Sequence, residues 1–317
     1  MTDLLDRRLV IVAGKGGTGR TTVSMIVGHT AARRGRDTLV CLAGAPLRYT
    51  GLLGGVFLGP EPRRVGPRLR VANLEPRAAR EEYAMQVLRN QALHRLLLGG
   101  RAVRSFLDAV PGLAEWAVFG KASYHALREI DGRPEYDMVV FDSPATGHGL
   151  ELLALPRAIL AGVPGGRMRE DAMKRVALMD DPARFEVLPV CLPEELVVNE
   201  TIELVEALGR MGFPPRRLVV NGVVADDPAD DMEAMIEEAG GDADWLLPGR
   251  DLAARRETQR RGLERLRQAT GLPLLALPRL GGGDLDEASW LSLARLFDEL
   301  VAGPDPARPA AGLPSGI

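Results

Sequence analysis

RLVIVAGKGGTGRTT, residues 8–22, decides the fold. RLVIVA is a short apolar run rich in Val and Ile, and the segment from Thr21 to Arg34 has helical patterning, so the order is strand, glycine-rich turn, helix. Glycines at 14, 16, 17 and 19 free the backbone to turn successive N–H groups inward. The partial positive charge of the following helix N-terminus adds to them, and the result is a cradle for a polyphosphate. The spacing from Gly14 to Thr21 fits G-x-x-x-x-G-K-[ST], with Arg20 in the lysine position. A guanidinium pairs with phosphate oxygens but is planar and bulkier than an ammonium. In this motif Gly14, Lys15, Gly16, Gly17, Thr18, Gly19 and Arg20 surround the phosphates, the Thr21 hydroxyl meets Mg²⁺, and Thr22 lies beside the α-phosphate.

Outward from this loop, short apolar runs recur at 38–42, 68–74, 136–142, 185–191, 217–224 and 272–277. Helical stretches at 194–210 and 250–269 separate the later ones, and a last helix fits 284–301. Alternation of this kind predicts an α/β fold, a mostly parallel doubly wound sheet with helices on both faces. The run at 68–74 alternates most, which places it near an edge. A helical insertion is expected over about 76–130 and a second short helical segment over about 157–182. One domain over 1–302 is expected, followed by a proline-rich, disordered tail at 303–317.

Composition excludes several classes. The chain has 317 residues, 46% hydrophobic and 26% charged, enough for a large core. It contains no apolar run near the 18 residues that a membrane span needs. The N-terminus lacks the order of a signal peptide, so a cytoplasmic location is expected. Net charge is −3, which supplies no field for nucleic acid or anionic lipid. Cys41 and Cys191 cannot form a CxxC pair or a four-ligand zinc site. Lysine occurs only at Lys15, Lys121 and Lys174, against a background of arginine.

Asp142 ends an apolar strand and precedes a loop, so its carboxylate is expected at the C-terminal edge of the sheet, a magnesium ligand acting through water. Lys121 and His125 lie one helical turn apart on an expected solvated face. Met168, Met173 and Met179 are expected to pack rather than to line a client groove. Phe106, Leu107, Val110, Leu113, Trp116 and Phe119 make one buried stripe of the insertion.

GKGGTGRTT at 14–22, VVFDSPATGHGLELLALP at 139–156, PEELVVNE at 193–200 and VVNGV at 219–223 resemble the arsenical pump-driving (ArsA) and guided-entry ATPase family. The resemblance runs from about residue 8 to 280. It implies a P-loop NTPase dependent on ATP and Mg²⁺ whose two subunits face each other across the nucleotide, with Lys15 as the lysine that reaches the partner's phosphates. It makes SPATGHGL, which contains His148, the switch that senses the γ-phosphate. Asn221 becomes the adenine-recognising asparagine, and Pro278 lies on the loop that passes the base.

The family's first switch carries an Asp that positions the attacking water, but here CLAGAPLRYTGLLGG at 41–55 puts Gly44 at that place. No carboxylate lies between Asp37 and Glu61. The expected function is therefore a Mg-ATP-binding ATPase whose subunit geometry is set by ATP binding and slow hydrolysis, as a homodimer or a heterodimer with a paralogous ATPase, with a protein client. The alternative is a non-catalytic nucleotide-binding scaffold beside an active paralogue; a partitioning or positioning ATPase ranks below both. Neither an arsenite nor a zinc site is expected.

Overall fold

Alternate residues of the strands face opposite ways, and each face is covered. Val10, Val12, Val40, Val140, Leu188 and Val190 point to one core, whereas Leu9, Ile11, Leu39, Val139, Phe141 and Val187 point to the other. A strand buried on both faces cannot alternate polar and apolar residues, which is why RLVIVA reads as a continuous apolar run. The computed structural model describes residues 3–44, 58–75, 79, 113–144, 151–224, 247–280 and 287–303.

The strands are β1 (Leu9–Ala13), β2 (Thr38–Ala43), β3 (Arg63–Arg64), β4 (Leu69–Leu74), β5 (Glu129–Ile130), β6 (Arg133–Pro134), β7 (Met138–Asp142), β8 (Phe185–Cys191), β9 (Leu218–Val223) and β10 (Leu274–Pro278). The helices are α1 (Arg20–Arg33), α2 (Leu113–Leu127), α3 (Glu151–Gly162), α4 (Arg167–Met179), α5 (Glu195–Arg210), α6 (Leu247–Thr270) and α7 (Glu287–Ala302). The main sheet runs β10-β9-β8-β1-β7-β2-β4-β3. Every pair in it is parallel except β3 with β4.

One face carries α1 and α7, with Val23, Ile26, Trp290, Leu293 and Phe297 in the core. The other carries α2, α3 and α4, with Val118, Phe119, Leu152, Leu153 and Leu178. Val197 and Val198 of α5 and Leu266 of α6 close a smaller core over β8 and β9. The expected doubly wound α/β fold is what the structure shows. β1 sits between β7 and β8, so the chain passes to opposite sides of it, and the crevice above its C-terminal end is where such sheets bind ligands.

Three details differ from the sequence expectation. Residues 129–130 are strand, not the end of a helical insertion: Asp131 and Gly132 both have positive φ, 52° and 73°, the two-residue turn that joins β5 to β6. An Asp-Gly pair is the signal for that hairpin. The segment at 157–182 is two helices, because Pro164, Gly165 and Gly166 interrupt it and Gly166 has φ 89°. Met173 is 46% exposed, so it does not pack like Met179. A turn hydrophobic in sequence can face water when its helix shows only one face to the core. Most of the expected insertion, including Phe106, Leu107 and Val110, lies outside the described residues, as do 45–57, His148 and the tail beyond Gly303. No helix among the described residues is long and apolar enough to cross a membrane.

Candidate functional site

The loop between β1 and α1 is shaped by what its glycines touch. A Cβ on Gly14 would stand 2.5 Å from the Val190 carbonyl oxygen, so only glycine lets this turn lie against β8. Gly19 has φ 84° and caps α1 without a side-chain bond, which leaves the first N–H groups of the helix open to an anion. Thr18 is fully buried, and its hydroxyl donates to the Lys15 carbonyl at 2.9 Å.

Asn221, on β9, donates through Nδ2 to the Thr18 carbonyl at 2.9 Å. The same amide nitrogen would lie 2.1 Å from a Cβ on Gly19. Asn221 thus clasps the loop from β9, two strands from β1 in the same sheet, with one N–H and Oδ1 not used in that bond. Pro278 ends β10 beside β9, with Arg279 donating its amide to the Val223 carbonyl at 2.7 Å, so Asn221 and Pro278 share one end of the sheet.

Thr21 and Asp142 are brought together. The Thr21 hydroxyl donates to Asp142 Oδ2 at 2.6 Å, while Oδ1 is buried with no hydrogen-bond partner among the described residues. Burial pushes the Asp142 carboxyl up to about 6, against the Thr21 hydrogen bond and the Arg20 charge, which hold it down. A hydroxyl and an incompletely satisfied carboxylate oxygen are hard donors that suit Mg²⁺. No cluster of three or more His, Cys, Asp or Glu side chains occurs among the described residues, so a cation here would draw its other ligands from phosphate and water.

The raised Asp142 pKa makes a stability prediction for the metal-free chain. Between the ordinary 3.8 and about 6 the native state holds a proton that the unfolded state has lost, so this residue's contribution falls as pH rises through that window. The loss reaches about 3 kcal/mol at about 1.4 kcal/mol per unit. Urea unfolding at pH 4 and pH 7, with EDTA present, should show Asp142→Asn gaining stability relative to the parent chain at the higher pH. An unchanged difference between the two pH values would contradict the burial of this carboxyl.

The two cations of the loop both rest on the chain's own oxygens. Lys15 Nζ bonds Oε1 of Glu200 on α5, and both side chains are half exposed. Arg20 donates through Nη1 to the Ser143 carbonyl at the end of β7. The sequence places Ser143 in the SPATGHGL segment and Glu200 in PEELVVNE but predicts neither contact: a backbone carbonyl has no side-chain signature, and Glu200 lies 185 residues from Lys15.

Other expected positions resolve differently. Lys121 and His125 are not on a solvated face: His125 is 7% exposed and its Nδ1 lies 3.0 Å from Glu135 Oε2, while Lys121 approaches Glu61 at 3.8 Å. Cys41 and Cys191 are buried free thiols, pushed by burial to about 12 and about 11, far from the thiolate form that reacts or binds soft metals.

Residues 7–164 match the family described as anion-transporting ATPase. The chain is 27% identical over 307 residues to ATPase BagA of Mycobacterium tuberculosis, covering 87% of this chain and 88% of that protein. It is 26% identical over 258 residues to ATPase GET3 of Lachancea thermotolerans, covering 70% and 74%. It is also 29% identical over 222 residues to an arsenical pump-driving ATPase of Escherichia coli, covering 67% of this chain and 34% of that one. The chain therefore spans about a third of the length of the arsenical pump-driving relatives it matches.

Proposed function

The chain belongs to the ArsA and guided-entry ATPase family, and on that premise we propose that it binds ATP with Mg²⁺ in the loop of residues 14–22 and works as a nucleotide-gated dimer. The observation that carries this reading is the contact of Thr21 with Asp142 at the open N-terminus of α1. The loop amides and the helix end hold the phosphates, and Thr21 with Asp142 hold the cation that screens them. Bound Mg²⁺ would supply charge neutralisation of the phosphates. Asn221 keeps the loop in its binding shape and offers its remaining amide groups to the base.

Two features support a dimer. Lys15 is held by an exposed ion pair, worth about 0–1 kcal/mol, so it is released at little cost to the phosphates of a facing subunit. Leu196, one helical turn from Glu200 on α5, is 64% exposed, an apolar side chain on the same face of the helix as the residue that holds that lysine.

Titration of a fluorescent ATP analogue, with Mg²⁺ and again with EDTA, tests the binding site. EDTA should weaken binding of the parent chain by about tenfold or more, equal to about 1.4 kcal/mol. Thr21→Ala should bind weakly and respond little to EDTA. Affinity independent of Mg²⁺ in the parent chain would overturn the assignment of Thr21 and Asp142.

A second reading, a non-catalytic nucleotide-binding scaffold acting beside an active paralogue, is favoured by Arg20 resting on Ser143 and by the lack of any carboxylate between Asp37 and Glu61. Phosphate release at saturating Mg-ATP separates the two, with Lys15→Ala as the control for contaminating activity. Turnover lost in the control supports the ATPase; none above it supports the scaffold. The client is to be sought among proteins that bind only the nucleotide-loaded chain.

A further inference from the structure

β9 loses a neighbour just where Asn221 stands. Among the described residues β8 pairs with it only at Val219 and Val220, and on the other side β10 sets Ala276 opposite Val220 and Pro278 opposite Val223. Asn221 and Gly222 together therefore oppose Leu277 alone, a β-bulge in which Gly222 takes a φ of 71°. The bulge reverses the alternation of the strand: Val223 joins Leu218 and Val220 in the smaller core, where an unbroken strand would put residue 222. Asn221 is left on the side of Val219, which faces α1, and its Nδ2 meets the Thr18 carbonyl there.

Past the bulge, one side chain holds the end of the strand. Gln259, on α6, is 7% exposed; its Oε1 accepts from the Val224 amide at 2.8 Å and its Nε2 donates to the Val224 carbonyl at 2.9 Å. The side-chain amide supplies the acceptor and the donor that a neighbouring strand would supply. Glutamate could not do the same, because an ionised carboxyl has no hydrogen for the Val224 carbonyl.

The placing of Asn221 matters because an amide can pair with either purine. Adenine presents N6 as a donor where guanine presents O6 as an acceptor. With Nδ2 held on the Thr18 carbonyl the amide cannot turn over, so Oδ1 accepts from adenine and repels the guanine oxygen. A small slide of the strand would instead bring the free N–H opposite that oxygen. We propose, on the ATP-binding reading above, that Gln259 is a positioning residue for base selection, acting through Asn221: its clamp on Val224 fixes the bulge, and the bulge fixes which purine the asparagine accepts.

The test measures the affinity of the full chain for Mg-ATP, Mg-GTP and magnesium tripolyphosphate, a probe without a base, by competition with a fluorescent ATP analogue. The parent chain should favour ATP over GTP by about tenfold or more, as a paired amide reading one purine does. Gln259→Met keeps the side chain's length and loses both bonds, so the ATP-to-GTP ratio should fall about fivefold, the equivalent of one net hydrogen bond. Gln259→Glu, which keeps the acceptor for the Val224 amide, should lower the ratio too and serves if thermal unfolding shows that Gln259→Met does not fold. In an Asn221→Ala background Gln259→Met should change the ratio no further.

A ratio equal to the parent's in the folded Gln259 variants overturns the proposal, whatever loss tripolyphosphate and both nucleotides share, because a merely structural role weakens all three alike. A fall that persists in full without Asn221 also overturns it. A parent chain that binds tripolyphosphate and both nucleotides equally reads no base, which overturns the proposal and leaves the phosphate-binding function standing. A parent chain that binds none of the three overturns that function itself.

Discussion

Gly19→Ala is expected to weaken nucleotide binding by about 100-fold. The new methyl would stand 2.1 Å from Asn221 Nδ2, at a backbone φ of 84°. A left-handed conformation costs a residue with a Cβ about 1–2 kcal/mol. Pushing Asn221 away from the Thr18 carbonyl removes a hydrogen bond worth about 1 kcal/mol. The combined 2–3 kcal/mol corresponds to a factor of about 30–150. Gly17 gives an internal comparison, since its φ is 87° but a Cβ there meets nothing within 4 Å. Gly17→Ala should therefore lose less affinity than Gly19→Ala, and Asn221→Ala should narrow the gap by removing the collision. Equal losses at both glycines, measured by titration of a fluorescent ATP analogue, would show that Asn221 does not shape the loop.

The largest stability effect is expected at the opposite end of the sheet. Glu186, on β8, accepts from Arg7 Nε at 3.0 Å through one oxygen and from Arg217 Nε at 2.9 Å through the other. Its side chain is 2% exposed, and those of Arg7 and Arg217 are 0% and 7% exposed. Arg7 also donates to the Ala183 carbonyl at 3.2 Å. Glu186→Ala removes the only negative member of this triad and leaves two buried guanidinium groups facing each other. A buried pair broken on one side costs about 3–5 kcal/mol. Glu186→Gln keeps the shape and one acceptor, so a smaller loss is expected. Replacing all three residues by apolar side chains of similar volume should restore much of the stability, because the desolvation of the charges goes with them. Urea unfolding of the four chains checks the order, and a Glu186→Ala loss below about 1 kcal/mol would mean that water reaches the triad.

Much of the fold was legible because it rests on local patterns. Phe185–Cys191 was read at its observed bounds, and β1, β2, α1 and α5 to within a residue or two, since buried parallel strands are short apolar runs and the helices carry their own periodicity. The β5–β6 hairpin was overlooked although its Asp-Gly turn was visible: it follows a long helical pattern directly, and its strands are two residues each. The exposure of Met173 and the burial of His125 could not be read, because which face of a helix meets the sheet is settled by the packing of α2 and α4, not by the residue type.

By itself the sequence determined that a glycine-rich loop joins a strand to a helix, that Thr21 opens that helix while Asp142 ends another strand, and that Arg20 stands in the lysine position of the loop's motif. These are statements about one loop and its spacing, which local chemistry dictates. Only the tertiary structure decided what the loop's cations and carbonyls rest on: Lys15 on Glu200, Arg20 on the Ser143 carbonyl, the Thr18 carbonyl on Asn221. Each of these contacts spans more than a hundred residues, and parallel pairing of β1 with β7 and β8, and of β8 with β9, is what closes that distance.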